Sequence, residues 1–190
     1  WCEELGSYAL ALDGRKRPCR VRASNAGHLL FCGVPSPERA ARLTETLMDK
    51  SSHSGWGLRT VAMGESRYNP MAYHNGSVWP HDNALIAAGF ARYGFQDAAA
   101  KVLGGLFEAS LHMPLRRMPE LFCGFTRRQG EGPTPYPLAC SPQSWAAASV
   151  FLLVRSCLGL SVDALWREVQ FFHPVLPAAV RQLRISRLAV

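Results

Sequence analysis

A chain of 190 residues that is 48% hydrophobic and 18% charged can build one domain with a real core, and is too apolar for a disordered segment. Its net charge of +7 comes from 18 arginines and three lysines against 14 acids. The basic clusters Arg15-Lys16-Arg17, Arg116-Arg117 and Arg127-Arg128 are scattered and accompany no nucleic-acid motif, so they read as solvated faces, and no nucleic-acid partner is expected. No apolar run approaches the roughly 20 residues that span a bilayer. The longest, Trp145 to Val154, reads as a capped helix of a soluble protein. Cysteines at 2, 19, 32, 123, 140 and 157 show neither C-x-x-C spacing nor the density of a disulfide scaffold, so reduced, mostly buried thiols and a cytoplasmic location are expected. Their spacing from His28, His74 and His81 does not suit zinc, and no metal or cofactor is expected.

Ser36-Pro37-Glu38 opens the first expected helix with a capping hydroxyl, a proline at the first helical position and an acid in the first turn; Ala40, Leu43, Leu47 and Met48 follow at helical spacing. A second helix is predicted over Asp82 to Tyr93, apolar around most of its circumference and therefore covered on several sides. Gly94 marks a tight turn. Asp97 is positioned to cap a third helix carrying Val102, Leu106, Ala109 and Met113, stopped by Pro114. Ser141-Pro142-Gln143 starts a fourth over Trp145 to Leu158, ended by Gly159. Two long irregular stretches, Ser51 to Pro80 and Pro114 to Cys140, separate these helices, and long loops inside a compact domain are usually functional. The tail changes character, with strands predicted over Arg167 to Phe172 and Gln182 to Val190.

The first long stretch closes on Tyr73-His74-Asn75-Gly76, then Trp79-Pro80-His81-Asp82. The second holds Pro119-Glu120-Leu121-Phe122 and runs into Cys140-Ser141-Pro142-Gln143-Ser144-Trp145-Ala146. In this order and at these gaps the three motifs resemble the C-terminal glucosidase domain of glycogen debranching enzymes and the bacterial amylo-α-1,6-glucosidase-like proteins, inverting glycoside hydrolases built on an (α/α)6 barrel. The similarity covers Asn25 to Leu158. It implies a mainly α fold, part of a toroid of helical hairpins with long loops at one end, over residues 1–160. Residues 161–190 would begin a short C-terminal β segment. It also implies Glu120 as general base and a sugar site lined by Tyr73, Asn75 and Trp79. The family's general acid is an aspartate well before the first motif, and nothing in Trp1 to Ser24 resembles its surroundings. A chain starting at Trp1, with four secure helices where the barrel has twelve, therefore reads as the C-terminal part of a larger enzyme, inactive alone and completed by the missing N-terminal part of the same barrel.

The residue chemistry points the same way. An inverting glycosidase needs two carboxyl groups about 6.5–9.5 Å apart, one to protonate the leaving oxygen and one to activate a water. Glu120 follows a stiffening proline and is flanked by Leu121, Phe122 and Phe125, which can exclude solvent; Glu131 is its rival. Trp79, Trp56 and Tyr73 offer flat faces to sugar C–H groups, and Asn75 and His74 offer hydrogen bonds, although core packing is an equal reading for Trp56 and the one adopted for Trp145. Asp82 either caps the second helix or binds a sugar hydroxyl, or stands in for the acid. Arg59 and Arg67 are candidates for a charged substrate group. The Gly130-to-Pro137 segment has too many prolines to cradle phosphate; it reads as a stiff loop closing the sugar site with Tyr136. The expected activity is inverting hydrolysis of α-glucosidic bonds in an oligosaccharide or short glucan. The alternatives are a carbohydrate-binding fragment without catalysis, or the same fold acting on sucrose, trehalose or a mannosyl compound.

Overall fold

The computed structural model describes residues 1–187. It is mainly helical, with α1 at Asn25–Cys32, α2 at Pro37–Met48, α3 at Pro80–Arg92, α4 at Gln96–Ser110 and α5 at Ser144–Leu158. Two small antiparallel hairpins flank them, β1 (Ala11–Leu12) with β2 (Pro18–Cys19), and β3 (Leu160–Asp163) with β4 (Glu168–Phe171). Connections alternate between short and long. Four residues link α1 to α2 and three link α3 to α4, so each pair is an antiparallel hairpin, while the long stretches before α3 and α5 lie together at the opposite end. As a result α1, α3 and α5 run in one direction and present their N-termini to the same loops.

The central helix is α3, packed against α1, α4 and α5, with Ile86 and Phe90 fully buried. Its crossing with α1 is closer than side chains permit. A Cβ on Gly89 would meet the Phe31 backbone nitrogen at 2.6 Å, and one on Gly27 would meet Ile86 at 2.7 Å. Helix α2 starts as expected, with Ser36 Oγ accepting from the Arg39 amide and Pro37 in the first turn. Gly159, in the left-handed region, ends α5 as expected.

Several expectations shift. Asp97 does not cap α4; Phe95 holds the cap position and Asp97 sits in the first turn, where the macrodipole still favours it. Helix α4 also ends at Ser110, before Met113. Helix α1 is not among the expected elements, because its eight residues contain Gly27 and its N-cap Ser24 makes no side-chain capping bond. The strand near Arg167 forms, over Glu168–Phe171, but its partner β3 follows directly on α5. No strand forms over the described residues 182–187, and 188–190 lie outside the described residues. Of the six cysteines, all free, only Cys2, Cys123 and Cys157 are buried; burial pushes the Cys157 thiol up to about 12. Among the described residues, no helix is long and apolar enough to cross a membrane.

The long loops are ordered by a chain of single antiparallel bridges, Arg59 to Val78, Val78 to Phe122 and Phe122 to Pro135. At its centre Val78 and Phe122, both fully buried, exchange backbone hydrogen bonds of 2.9 and 3.1 Å. Antiparallel pairing at 78 and 122 sets residue 120 across from residue 80, which brings Glu120 to the start of α3.

Arg59 is not a substrate ligand. It is 1% exposed, and its guanidinium donates to the carbonyls of Gly124 (2.7 Å), Lys50 (3.0 Å) and Ser51 (3.1 Å) and to the Thr126 hydroxyl (2.9 Å). Among the described residues no carboxylate pairs with it, so these oxygens and the Tyr68 ring, 6.0 Å from the guanidinium, compensate its desolvation, which holds its pKa below the usual arginine value. Replacing it by Met strands buried acceptors on both long loops, and Arg59→Met is expected to lose about 3 kcal/mol or more in urea unfolding.

Candidate active site

A cavity of about 460 Å³ opens where the N-termini of α1, α3 and α5 meet the long loops. Its wall takes His28 from α1, His81 and Asp82 from α3, Trp145 from α5, Tyr73, His74 and Trp79 from the first loop, and Glu120 from the second. Three helix N-termini direct their partial positive charge at a site containing two carboxylates, which favours bound negative charge.

Glu120 is 7% exposed. Its Oε1 accepts from the Tyr73 hydroxyl at 2.8 Å, and its Oε2 from the Cys140 amide at 3.4 Å. The Glu120 amide in turn donates to the Cys140 carbonyl at 2.8 Å, so the third motif clamps the second through its backbone. Tyr73's phenol is pushed above its ordinary value, first by this bond to Glu120, and remains a donor at neutral pH. Leu121 and Phe122 are fully buried behind the carboxylate, whereas Phe125 is 38% exposed and takes no part.

Tyr73 is the hub of an aromatic cluster. Trp79 lies edge-on to it at 4.9 Å, His74 at 4.6 Å and Tyr136 at 5.6 Å. Trp79 donates its indole N–H to the Tyr73 carbonyl (3.1 Å) and Ser77 hydroxyl (2.9 Å), which fixes the turn, and His74 stacks parallel on Trp79 with an interplanar angle of 5°. Trp79 is thus a buried wall. The open aromatic face belongs to Trp145, 47% exposed and 4.9 Å from the His81 ring, against the expectation of core packing.

Asp82 does not cap α3. It lies in the first turn with Trp79 at the cap, and its Oδ1 accepts from His28 Nε2 at 2.6 Å, while Oδ2 is buried without a partner. That bond, opposed by partial burial, raises the His28 pKa above its ordinary value. His81 moves the other way, chiefly through burial.

Other expected residues fall elsewhere. Asn75 is exposed and contributes its carbonyl to the Asn69 amide, not its side chain to the cavity. Trp56 is 3% exposed within the core, with Arg127 over its ring at 4.3 Å. Glu131 lines a different cavity, beside Arg128. Arg67 is exposed away from the site. His28 and Trp145 are wall residues that sequence reasoning misses; the third motif carries the signal for Trp145, and nothing in the unexpected α1 marks His28. No group of three or more His, Cys, Asp or Glu side chains is placed to hold a metal among the described residues.

This arrangement is that of a helical-toroid glycoside hydrolase. A GH63 mannosylglycerate hydrolase from Thermus thermophilus, solved in complex with glucose, superposes with a TM-score of 0.58 at 26% identity, covering 80% of this chain and 36% of that one. Neutral trehalase Nth1 from Saccharomyces cerevisiae, at 17% identity, shares the fold with a TM-score of 0.57 over 82% of this chain and 27% of its own. The mannosylglycerate hydrolase MGH1-like glycoside hydrolase domain matches residues 1–117, and the chain belongs to that family. Mannosylglycerate hydrolase MGH1 of Selaginella moellendorffii is 30% identical over 96 residues, 45% of this chain and 20% of that protein. A curated mannosylglycerate hydrolase of Thermus thermophilus is 32% identical over 103 residues, 54% of this chain and 25% of that protein. The chain thus spans a quarter or less of the length of these curated relatives. The glycosidase class expected from the three motifs holds; the debranching glucosidase family does not.

Raised in the folded protein, the His28 pKa makes the His28–Asp82 pair stabilising below about pH 6.5, the unfolded value, and that stabilisation is lost as pH rises through the folded value. NMR titration is expected to find His28 above its ordinary pKa in the wild type and close to it in Asp82→Asn.

Proposed function

We propose that the protein hydrolyses the glycosidic bond of a small mannosyl compound of the mannosylglycerate type, with inversion and with Glu120 as general base. The observation that carries this reading is the setting of Glu120: it is nine-tenths buried at a sugar-sized cavity, each oxygen held by one donor, with lone pairs left for a water. Family membership supports a small glycoside over the glucan expected from the debranching resemblance.

In this mechanism Glu120 takes a proton from the water, whose oxygen bonds to the anomeric carbon as the bond to the leaving oxygen breaks on the opposite face. Tyr73 positions the carboxylate and cannot itself take the proton. Trp145 and His74 supply faces and edges for the ring, and Tyr136 backs Tyr73. Asp82 does not act as the acid, because Oδ1 is engaged by His28 and Oδ2 is inaccessible. The leaving oxygen is protonated by a carboxyl group from a part of the toroid outside these residues. On this reading residues 1–160 are one share of the toroid, and the β3–β4 hairpin that follows begins a β segment. The apolar groove between α4 and α5, where Phe107 and Phe151 are 41% and 78% exposed, is a face that a neighbouring hairpin would cover.

The test is sugar release from mannosylglycerate, maltose and isomaltose by the full-length protein. Mannose is expected from the first. Glu120→Gln is expected to lower kcat at least about 10²-fold with folding intact. Tyr73→Phe is expected to lower it about tenfold with little change in KM, and Glu131→Gln to leave it unchanged. Glucose from isomaltose without mannose from mannosylglycerate would overturn the substrate class, and an active Glu120→Gln the base.

A further inference from the structure

A second cavity, about 670 Å³, lies on another face between the end of α2, the turn around His53, α4 and the loop tip at Arg127 and Arg128. Lys50, Lys101, Arg127 and Arg128 line it against one carboxylate, Glu131. Two of the three lysines in this arginine-dominated chain meet here. Glu108 pairs with Arg127, and Glu131 lies 3.7 Å from Arg128 with both side chains more than half exposed. Lys50 and Lys101 have no carboxylate within 4.0 Å among the described residues.

His53 supplies an independent sign of a ligand. It is 6% exposed, and its Nδ1 accepts from the Gly55 amide at 3.0 Å, which leaves the proton on Nε2. That Nε2–H is buried and has no acceptor. Burial, with Lys101 and Arg59 nearby, holds the His53 pKa down at about 4, so the ring is a neutral donor at neutral pH. Buried donors are normally met by a protein acceptor, a water or an ion, and for His53 no acceptor of the protein lies within reach among the described residues.

The walls are fixed before any ligand arrives. Arg59 ties the carbonyls of Lys50 and Ser51 on one wall to Gly124 and Thr126 on the other. The Arg127 amide donates to the Ser54 carbonyl at 2.8 Å, and its guanidinium lies over Trp56. With Trp56 covered in this way, the exposed aromatic ring left to the cavity is the imidazole of His112, 5.8 Å from Trp56.

We propose that this cavity binds a small phosphate-class oxyanion, inorganic phosphate or a phosphorylated sugar, through Lys50, Lys101 and Arg128, with the His53 Nε2–H as its buried donor. A dianion with several acceptor oxygens matches spaced ammonium groups plus a guanidinium fork better than a single carboxylate does. The anion would also tie down the tip of the loop whose base carries Tyr136 against Tyr73. That consequence rests on the function proposed above; the binding itself does not.

The experiment is calorimetric titration of the full-length protein with inorganic phosphate and, separately, a hexose phosphate, at ionic strength held constant with chloride. Saturable one-site binding is expected, weakened at least about tenfold in Lys50→Gln/Lys101→Gln, whose two positions are exposed and leave the fold intact. No binding of either compound by the wild type, or equal binding by the double variant, overturns the proposal. Tighter binding of one of the two identifies the source. Should the double variant fail to fold, the His53 imidazole ¹⁵N resonances in the wild type decide: phosphate is expected to shift Nε2, and an unshifted signal at high phosphate overturns the site. None of these readouts depends on turnover.

Discussion

One buried guanidinium organises everything between the helices. Arg59 takes up carbonyl oxygens from residues 50, 51 and 124 and the hydroxyl of Thr126, so two loops far apart in sequence share one interior donor. The approach this requires is close enough that a Cβ on Gly124 would fall 1.6 Å from the Gly76 carbonyl oxygen. Asn83 completes the arrangement from α3. Fully buried, it exchanges two hydrogen bonds with the Leu58 backbone, of 2.7 and 3.1 Å, and donates a third to the Trp79 carbonyl. Neither residue faces the cavity, yet together they set the loops that carry Tyr73 and Glu120 against α3. Buried polar groups that are fully satisfied specify a single geometry, because any alternative leaves them unpaired.

On that frame the two carboxylates of the cavity take different surroundings. Glu120 sits among a phenol, an amide and apolar side chains, with acceptor capacity left over; Asp82 is committed to His28 on one oxygen and enclosed on the other. The difference leaves Glu120 with lone pairs for a water and commits Asp82 to holding His28. The same construction principle serves the second cavity, where loop closure through Arg59 and Arg127 sets the cations and leaves His53 with an unmet donor.

Helices α2, α3 and α5 are legible in the sequence because their signals are local: Ser36-Pro37 at a start, Gly159 at an end, and apolar runs long enough to fix a period. The buried glutamate of the cavity is legible through motif order. What escapes notice depends on contacts between distant segments. Asp82 has the composition of a helix cap, and only the arrival of α1 gives its carboxylate a better partner in His28, 54 positions away. Trp145 departs from its expected core packing, and Trp56 takes the core reading of its two, for a similar reason, since an indole's burial depends on which helix end the loops leave open. Arg59 reads in the sequence as a candidate for a charged substrate group; nothing near it in sequence announces four acceptors drawn from residues 50 to 126. The debranching resemblance gives the toroid and the glycosidase class but not the family, whose model matches residues 1–117 and so ends before the second and third motifs.

The stereochemistry of the first turnover tests the central claim most directly. With an α-linked substrate and the full-length protein, proton NMR of the reaction before mutarotation should show the β-anomer of the released sugar, as required when a Glu120-activated water attacks opposite the leaving oxygen. The α-anomer appearing first would mean retention through a covalent intermediate, and would contradict the role assigned to Glu120.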